Sequence, residues 1–279
     1  MFRIKEYVKA SSLEQAYELN QKRANRIIGG MLWMKMGKGK IHTAIDLSGL
    51  GLDTIEETEK EFIIGCMVTL RQLELHASLA ALGNGILRES VKNIVGVQFR
   101  NLATVGGSLF GRFGFSDVLT AFLALDTEVE LYRGGRVPLA EFAGRKPDND
   151  ILVRVIVKKD DVRRVYLSHR NSRTDFPVLA VAIAAGKDDI KVIAGARPHR
   201  AIIVPAEGIC IETGKLAEDI HTGVCSEKAI REYAARLSER IPTGSNMRAS
   251  AEYRSHLAEI LIRRGLSALN ESAKEERGL

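Results

Sequence analysis

The sequence is short of cysteine, and its three cysteines have no paired spacing. Cys66, Cys210 and Cys225 lie far apart, and no Cys-x-x-Cys pair occurs among the 279 residues. The odd count excludes a disulfide framework and indicates a reducing compartment. It also argues against a four-thiolate iron–sulfur cluster or zinc site on this chain. We therefore interpret the three thiols as small buried hydrophobic side chains.

Long apolar runs are also missing. No stretch approaches the ~20 apolar residues of a membrane span, and residues 1–18 contain no continuous apolar core of a secretory signal. We expect a cytoplasmic protein that is not associated with a membrane. The composition, 45% hydrophobic and 27% charged, is typical of a globular chain, and 279 residues suffice for two ordinary domains.

The common signatures of catalysis are absent as well. The sequence has no G-x-G-x-x-G dinucleotide fingerprint, no P-loop, no G-x-S-x-G elbow and no H-E-x-x-H. No metal-ligand spacing occurs among the six histidines, which are His42, His76, His169, His199, His221 and His256. We expect no metal site and no catalytic acid or base, so any chemistry must come from a bound cofactor.

The charge is moderately basic, with a net charge of +6 and a pI near 9.2. Such an excess suits anionic ligands or an acidic protein partner, although a solvated basic face explains it equally simply. No zinc-finger, helix-turn-helix or RNP signature accompanies it. We therefore predict no nucleic-acid binding.

Two glycine pairs are the most informative feature that is present. Gly29-Gly30 follows the apolar residues Ile27-Ile28, and Gly106-Gly107 follows Thr104-Val105. Paired glycines allow unusual backbone angles and let a ligand touch the main chain. Successive backbone N–H groups in such turns bind anions. Two turns that meet in space would hold a diphosphate between them, which indicates a dinucleotide or a similar ligand.

Hydrophobic patterning gives the chain a mixed first half and a second half with a small sheet and helices. In the first half we predict strands over 26–28, 41–47 and 62–68, a helix over 70–82, a helix over 118–125 and a glycine-turn hairpin over 128–139. In the second half we predict a meander over 164–168, 178–185 and 190–194, followed by two amphipathic helices. The domain boundary falls in the polar stretch 144–150 or after a strand over 151–157.

Four segments stand in a recognisable order and spacing: Ile27–Met36 with Ile45–Ser48, Gln98–Ser108, Asp117 with Leu119–Asp126, and Ser250–Arg254. Together they resemble the FAD-binding subunit of molybdenum hydroxylases, the medium chain of xanthine dehydrogenase and carbon monoxide dehydrogenase-type enzymes. The resemblance covers residues 4 to 270, and the ordered set is far more specific than one glycine pair.

The resemblance implies an α+β fold. A two-part α/β FAD-binding domain of the vanillyl-alcohol-oxidase (PCMH) type would cover 1–160. A CO dehydrogenase flavoprotein-like C-terminal domain, with a small antiparallel sheet and a helix bundle, would cover 161–271. Residues 272–279 would form a flexible tail.

The resemblance also implies a set of FAD contacts. The first diphosphate loop would consist of Ile28, Gly29, Gly30, Met31, Leu32 and Trp33, and the second of Thr104, Gly106, Gly107 and Ser108. Asp117 would accept a hydrogen bond from the adenosine ribose. Ile94 would lie against the flavin ring, and Ile151 or Leu152 would approach the isoalloxazine from the other side.

Three residues of the first loop depart from the family pattern. Ile28 stands where a small residue is usual, and Met31 and Leu32 stand where Thr-Asp or Gln-Ser is usual. Two side-chain hydrogen bonds to the cofactor are therefore lost, whereas backbone donors survive. Since a hydrogen bond contributes about 0.5–1.5 kcal/mol, we expect FAD binding that is weaker by one or two decades.

The resemblance implies an electron-transfer function in a hetero-oligomer. Electrons would pass from a molybdopterin large subunit, through [2Fe–2S] clusters on a small subunit, to FAD on this chain and then to NAD⁺ or another acceptor. One alternative is a free-standing flavin-dependent NAD(P)H oxidoreductase. A second alternative, motivated by Ile28, Met31 and Leu32, is a non-enzymatic assembly subunit that has lost FAD.

Overall fold

The computed structural model describes residues 2–206 and 213–278. Its strands are β1 Arg3–Lys9, β2 Arg26–Ile28, β3 Lys40–Asp46, β4 Ile55–Glu57, β5 Glu61–Gly65, β6 Thr127–Leu131, β7 Gly135–Pro138, β8 Leu152–Lys158, β9 Arg163–Arg170, β10 Pro177–Ala185, β11 Ile190–Gly195 and β12 Ile202–Ile203. Its α-helices are α1 Leu13–Asn20, α2 Leu70–Leu75, α3 Ala77–Ala81, α4 Ile86–Val91, α5 Val97–Arg100, α6 Val105–Phe110, α7 Asp117–Leu123, α8 Leu139–Gly144, α9 Thr213–Thr222, α10 Glu227–Ser238 and α11 Ala251–Arg277. The helices and several sheets confirm the predicted α+β fold class.

The chain folds as two compact units. Unit 1 contains residues 1–75, 95–111 and 126–159, and unit 2 contains residues 76–94, 112–125 and 160–279. The break near residue 160 lies where the sequence predicts the end of the first domain. Segments 76–94 and 112–125, which the sequence places in that first domain, fold with unit 2 instead. Their apolar side chains, such as Leu79 and Phe122, are fully buried in unit 2.

Unit 1 contains two sheets. In the first, β1 and β2 flank β3, and both pair with it in parallel. The second is antiparallel with the order β4-β5-β8-β6-β7. The β6–β7 pair is the predicted hairpin. Phe62 and Val155 belong to the apolar core of this sheet and are at most 2% exposed.

The predicted helix over 70–82 is interrupted, which corrects the sequence-based expectation. Its capping box is present, since Gln72 N–H donates to Thr69 Oγ1 and Thr69 N–H donates to Gln72 Oε1. The helix α2 nevertheless ends at Leu75, and His76 caps a new helix by accepting a hydrogen bond from the N–H of Leu79. An imidazole that competes for a backbone donor favours a helix start over continuation.

Unit 2 is built on the predicted meander. Its sheet has the order β12-β11-β10-β9, and all nine residues of β10 are buried. Helix α11 packs on β9 and β10. A Cβ on Gly265 would lie 2.7 Å from Ile183 Cδ1, so a glycine is needed where this helix crosses the sheet.

Helix α11 also corrects the prediction of a flexible tail from residue 272. The helix continues to Arg277, and Gly278 caps it in the left-handed conformation, at φ 68°. Leu269 and Ala273 are buried, and Asn270 exchanges two hydrogen bonds with the backbone of Cys225. Tertiary contacts therefore hold a segment whose polar sequence suggests fraying.

Two of the three cysteines, Cys66 and Cys225, are buried free thiols. Burial raises the pKa of the Cys66 thiol to about 12 and that of Cys225 to about 11. Both are therefore unreactive hydrophobic side chains at neutral pH, as predicted. Cys210 lies outside the described residues. Among the residues described, no helix is long and apolar enough to cross a membrane.

Candidate functional site

The first glycine turn begins where β2 ends. Ile28 is the last strand residue and is 7% exposed, and Gly29 and Gly30 follow it directly. Met31 then adopts a left-handed backbone conformation at φ 55°, which is unfavourable for a residue with a side chain. Leu32 is buried, and the ring centroid of Trp33 lies 5.4 Å from that of Phe99. The turn thus leaves the sheet abruptly, with an apolar side chain buried on each side of the glycines.

The two glycine turns meet within unit 1, as the sequence predicts. A Cβ on Gly30 would lie 1.9 Å from the carbonyl oxygen of Leu102, and a Cβ on Gly29 would lie 2.6 Å from Thr104 Oγ1. Neither position can accept a side chain unless the second segment moves. The pair Gly29-Gly30 is therefore required for the close approach of two backbone segments.

The first turn carries a row of available donors. In the part of the chain that the structure describes, the backbone N–H groups of Gly29, Gly30, Met31 and Leu32 donate no hydrogen bond. Four consecutive donors of this kind suit an anionic group, because each N–H can bind a phosphate oxygen. The diphosphate-binding capacity of the turn resides in its main chain.

The second glycine pair has a different local structure. Thr104 caps the short helix α6, and Gly107 N–H donates to Thr104 Oγ1 over 3.1 Å. The N–H groups of Val105 and Gly106 donate to the carbonyls of Val68 and Cys66. Ser108 Oγ donates to the Thr104 carbonyl. The backbone donors of the second segment are thus used inside unit 1.

Gly106 and Gly107 differ in their surroundings. A Cβ on Gly106 would lie 2.6 Å from both Cβ and the carbonyl oxygen of Cys66, so Gly106 is needed for packing. Gly107 is exposed, and a Cβ there would meet only Thr104 Oγ1, at 3.0 Å. Gly107 therefore leaves the main chain open to a ligand at the surface.

A buried ion pair holds the second segment in place. Arg100, at the end of α5, donates from Nε to Glu74 Oε2 on α2 over 2.8 Å, and Arg71 donates to the same oxygen. Burial raises the pKa of Glu74, but the hydrogen bonds and charges of Arg100 and Arg71 outweigh it, and the pKa is lowered overall. The residues next to the glycine turn, 101–104, thus follow a helix that is anchored by charge.

Asp117 belongs to unit 2, where it begins α7 after the capping residue Ser116. Its side chain is 5% exposed. Its Oδ1 accepts hydrogen bonds from the hydroxyl of Tyr166 and from Arg170 Nη2, both on β9. Desolvation raises the pKa of Asp117 to about 6, although the Arg170 charge and the Tyr166 hydrogen bond oppose the shift. Its predicted role as a ribose acceptor stays a prediction.

The three residues expected near the flavin ring lie in different surroundings. Ile94 is half-buried in unit 2, next to Val95, whose φ is 48°. Ile151 and Leu152 are 1% and 4% exposed at the start of β8 in unit 1. Such burial leaves little of either side chain for contact with a ligand, and these flavin contacts also stay predictions.

The residues of unit 1 fit FAD. The open N–H row of Gly29–Leu32 supplies donors for a diphosphate, and Gly30 and Gly107 remove the side chains that would obstruct it. No group of three His, Cys, Asp or Glu side chains in 2–206 or 213–278 could hold a metal ion. Any redox chemistry at this site would therefore belong to an organic cofactor.

A family comparison decides the identity of this arrangement. The model of the family described as FAD binding domain in molybdopterin dehydrogenase matches residues 1–159. This chain belongs to that family. Residues 1–159 include both glycine turns, the anchoring ion pair and Asp117.

Two kinds of relative extend the likeness of this FAD-binding chain beyond residue 159. Uncharacterized protein YgfM of Escherichia coli (strain K12) is 23% identical over 263 residues, which are 93% of this chain and 94% of that protein. Quinoline 2-oxidoreductase from Pseudomonas putida 86 contains a chain with a TM-score of 0.81 and 18% identity, covering 98% of this chain and 97% of its own. Carbon monoxide dehydrogenase from Hydrogenophaga pseudoflava contains one with a TM-score of 0.82 and 19% identity, covering 95% and 96%. The shared fold thus includes the C-terminal sheet and helices.

Sequence reasoning missed three residues of the FAD-binding chain's candidate site. Leu102 supplies the carbonyl that Gly30 contacts, and Tyr166 and Arg170 supply the hydrogen bonds to Asp117. A backbone contact leaves no mark on residue type at Leu102. Tyr166 and Arg170 are spaced by four along a strand, which places both on the same face, and this spacing was the available signal.

Proposed function

We propose that this chain is the FAD-binding electron-transfer subunit of a molybdenum hydroxylase-type enzyme. In this proposal it receives electrons from [2Fe–2S] clusters on a small subunit, which are fed by a molybdopterin large subunit. It passes them to NAD⁺, as in a xanthine dehydrogenase-like enzyme, or to another acceptor. The residues that select the molybdenum-site substrate would lie on the large subunit.

One observation carries the proposal. The N–H groups of Gly29, Gly30, Met31 and Leu32 form a row of donors against the second glycine segment, where Gly30 touches Leu102. A mononucleotide has one phosphate, whereas four donors and two converging turns suit a diphosphate. Membership of the FAD-binding family supports the same cofactor.

The chain's own residues would bind and orient the cofactor. FAD, when bound, supplies both hydride and single-electron transfer, so no catalytic acid or base is required of the protein. The Gly29–Leu32 N–H groups would neutralise the diphosphate, and Gly107 would let it approach the main chain. Asp117 would accept a ribose hydroxyl, on the strength of the family resemblance.

The partner assignment rests on chemistry that this chain lacks. Its described residues offer no ligand cluster for a metal centre, so an electron donor of the iron–sulfur type would have to be a separate protein. A solved relative of the same fold is a Cu,Mo-CO dehydrogenase, at 21% identity and a TM-score of 0.81. The net charge of +6 would favour an acidic partner surface.

The test is to identify the flavin that accompanies the purified chain. We expect one non-covalent FAD per chain, released as FAD rather than FMN on denaturation. FMN in its place contradicts the diphosphate assignment. A chain that stays colourless after incubation with excess FAD supports the alternative of an assembly subunit that has lost the cofactor. Full-rate oxidation of NADH by the isolated chain supports the free-standing reductase.

A further inference from the structure

The Asp117 carboxylate is used unequally by its neighbours. Both Tyr166 and Arg170 donate to Oδ1, with Arg170 Nη2 at 2.5 Å. Within residues 2–206 and 213–278, no hydrogen bond reaches Oδ2. A buried carboxylate has about four acceptor positions, so an oxygen left without a donor is available to a ligand.

The two donors are themselves held firmly. Tyr166 is 6% exposed on β9, in register with Ala182 of β10. Arg170 also donates from Nη1 to the carbonyl of Asp175 over 2.5 Å and from Nε to Ser168 Oγ over 3.2 Å. A guanidinium fixed at three nitrogens cannot follow the carboxylate if it rotates. The geometry therefore fixes Oδ1 toward β9.

Taken together with the proposed FAD site, on which the inference rests, these contacts assign a role to two residues. We propose that Tyr166 and Arg170 are positioning residues that hold Oδ1 of Asp117 and leave Oδ2 as the acceptor for a ribose hydroxyl of the cofactor. They act through Asp117 and do not touch the ligand themselves. The chemical class recognised is a sugar hydroxyl next to an adenine base.

The charge of Asp117 gives this role a measurable signature. Desolvation raises the pKa of its carboxyl to about 6, and Arg170 and Tyr166 keep it from rising further. Above that pH the carboxylate accepts a hydroxyl hydrogen with the strength of a charged acceptor, and below it the neutral acid accepts more weakly. Removal of either donor moves the transition to higher pH.

Other groups near α7 are few. Strand β10 carries no titratable side chain, and neither does β12. The remaining titratable groups of the elements packed on α7 are Arg88 and Glu89 on α4, Lys191 on β11, and Arg163, Arg164 and His169 on β9. Of the charges that shift Asp117, the nearest is Arg170. Because His169 titrates in the same range, the test needs a variant at Asp117 itself.

The test measures the FAD dissociation constant of the full chain between pH 5 and pH 8. We expect wild-type affinity to fall about fivefold on acidification through pH 6, since a charged hydrogen bond becomes a neutral one. In Asp117→Asn the acid limb disappears and affinity stays low throughout. In Arg170→Met the midpoint moves upward by about one pH unit, and Arg170→Lys restores part of the shift. Arg264→Met and Asp161→Asn alter exposed residues of the same unit and should match the wild type.

Each outcome decides something. If the acid limb persists in Asp117→Asn, another group causes it and the inference is overturned. If Arg170→Met binds FAD with the wild-type profile, Arg170 does not position Asp117. Should Arg170→Met fail to fold, Tyr166→Phe removes a single hydrogen bond and must still shift the midpoint upward. A wild-type chain that binds no FAD at any pH overturns the proposed function as well, whereas wild-type binding with unshifted variants overturns only this inference.

Discussion

The Cα of Gly30 faces the carbonyl oxygen of Leu102 so closely that a Cβ would lie 1.9 Å from it. This contact joins the turn after β2 to the turn after α5, two segments separated by 72 residues of sequence. The Arg100–Glu74 ion pair anchors the second of these segments. The open N–H row of Gly29–Leu32 therefore has its position fixed from outside the turn, and a ligand meets donors that are already in place.

Gly30→Ala is expected to destabilise unit 1 by at least ~2 kcal/mol, because the methyl group would overlap a backbone carbonyl that cannot rotate away. Gly39→Ala is the matched control, since a Cβ there meets nothing within 4 Å. Chemical denaturation of both variants measures the difference. Equal stability of the two would show that the turns do not pack as described.

Gly107→Val is expected to lower FAD affinity at least tenfold and to leave the stability within ~1 kcal/mol. The exposed position tolerates a side chain, but two methyl groups would stand where a diphosphate approaches the main chain. Gly106→Val is the contrasting variant: its Cβ would lie 2.6 Å from Cys66, so it should unfold unit 1. Flavin content and circular dichroism separate the two effects. Full FAD occupancy in a folded Gly107→Val would remove Gly107 from the site.

Local patterns predicted most of the elements. The hairpin over β6 and β7 follows from alternating apolar residues around two glycines, and the meander β9–β11 follows from three apolar runs with short turns. The apolar face of α10, with Ile230, Tyr233 and Leu237, is buried as its periodicity predicts. In each case the information lies within about ten residues of sequence.

Contacts between distant segments could not be predicted in this way. Strand β1 is exposed along nearly its whole length, so its sequence lacks the apolar alternation that marks a strand, and its pairing with β3 holds it. The packing of 76–94 and 112–125 within unit 2 depends on tertiary burial. The glycine pairs predict close backbone approach, but the partner carbonyl of Leu102 could have belonged to any residue type.

Met31→Gln is expected to tighten FAD binding by up to about tenfold. Glutamine restores a polar side chain where the family usually has one, and a net hydrogen bond contributes about 0.5–1.5 kcal/mol. The backbone cost of the left-handed conformation should not change, because both side chains are unbranched at Cβ. Met36→Gln, at a methionine that is 74% exposed, is the control. Equal affinity of both variants and the wild type would mean that the Met31 side chain does not face the cofactor.

Glu74→Gln is expected to destabilise the protein by about 2 kcal/mol at pH 7, because Arg100 would lose its charged partner inside the structure. The pKa of Glu74 is lowered in the folded state from its ordinary 4.5. Its contribution is therefore present above pH 4.5 and is lost as the pH falls through the folded value. The difference between wild type and variant should shrink on acidification. Glu141→Gln breaks an exposed pair with Arg145 and should cost little at any pH.

The chain is expected to assemble with a small [2Fe–2S] protein and a large molybdopterin protein. A flavin that receives electrons from a cluster must lie within electron-transfer distance of it, so a specific interface of more than ~1,200 Å² should form. Co-expression of the three chains and affinity purification through the large subunit measure the assembly. Addition of the molybdenum-site substrate should then bleach the flavin absorbance.

The Gly107→Val variant separates assembly from electron transfer in the same experiment. Because its change is confined to an exposed glycine next to Thr104 Oγ1, it should still co-purify with both partners while carrying little flavin. Substrate should then reduce the clusters of the complex but reduce no acceptor through this chain. Raising the salt concentration should weaken the wild-type and variant complexes equally, if the basic charge of +6 steers an acidic partner. A chain that remains a monomer beside both partners and oxidises NADH at full rate would instead be a free-standing reductase.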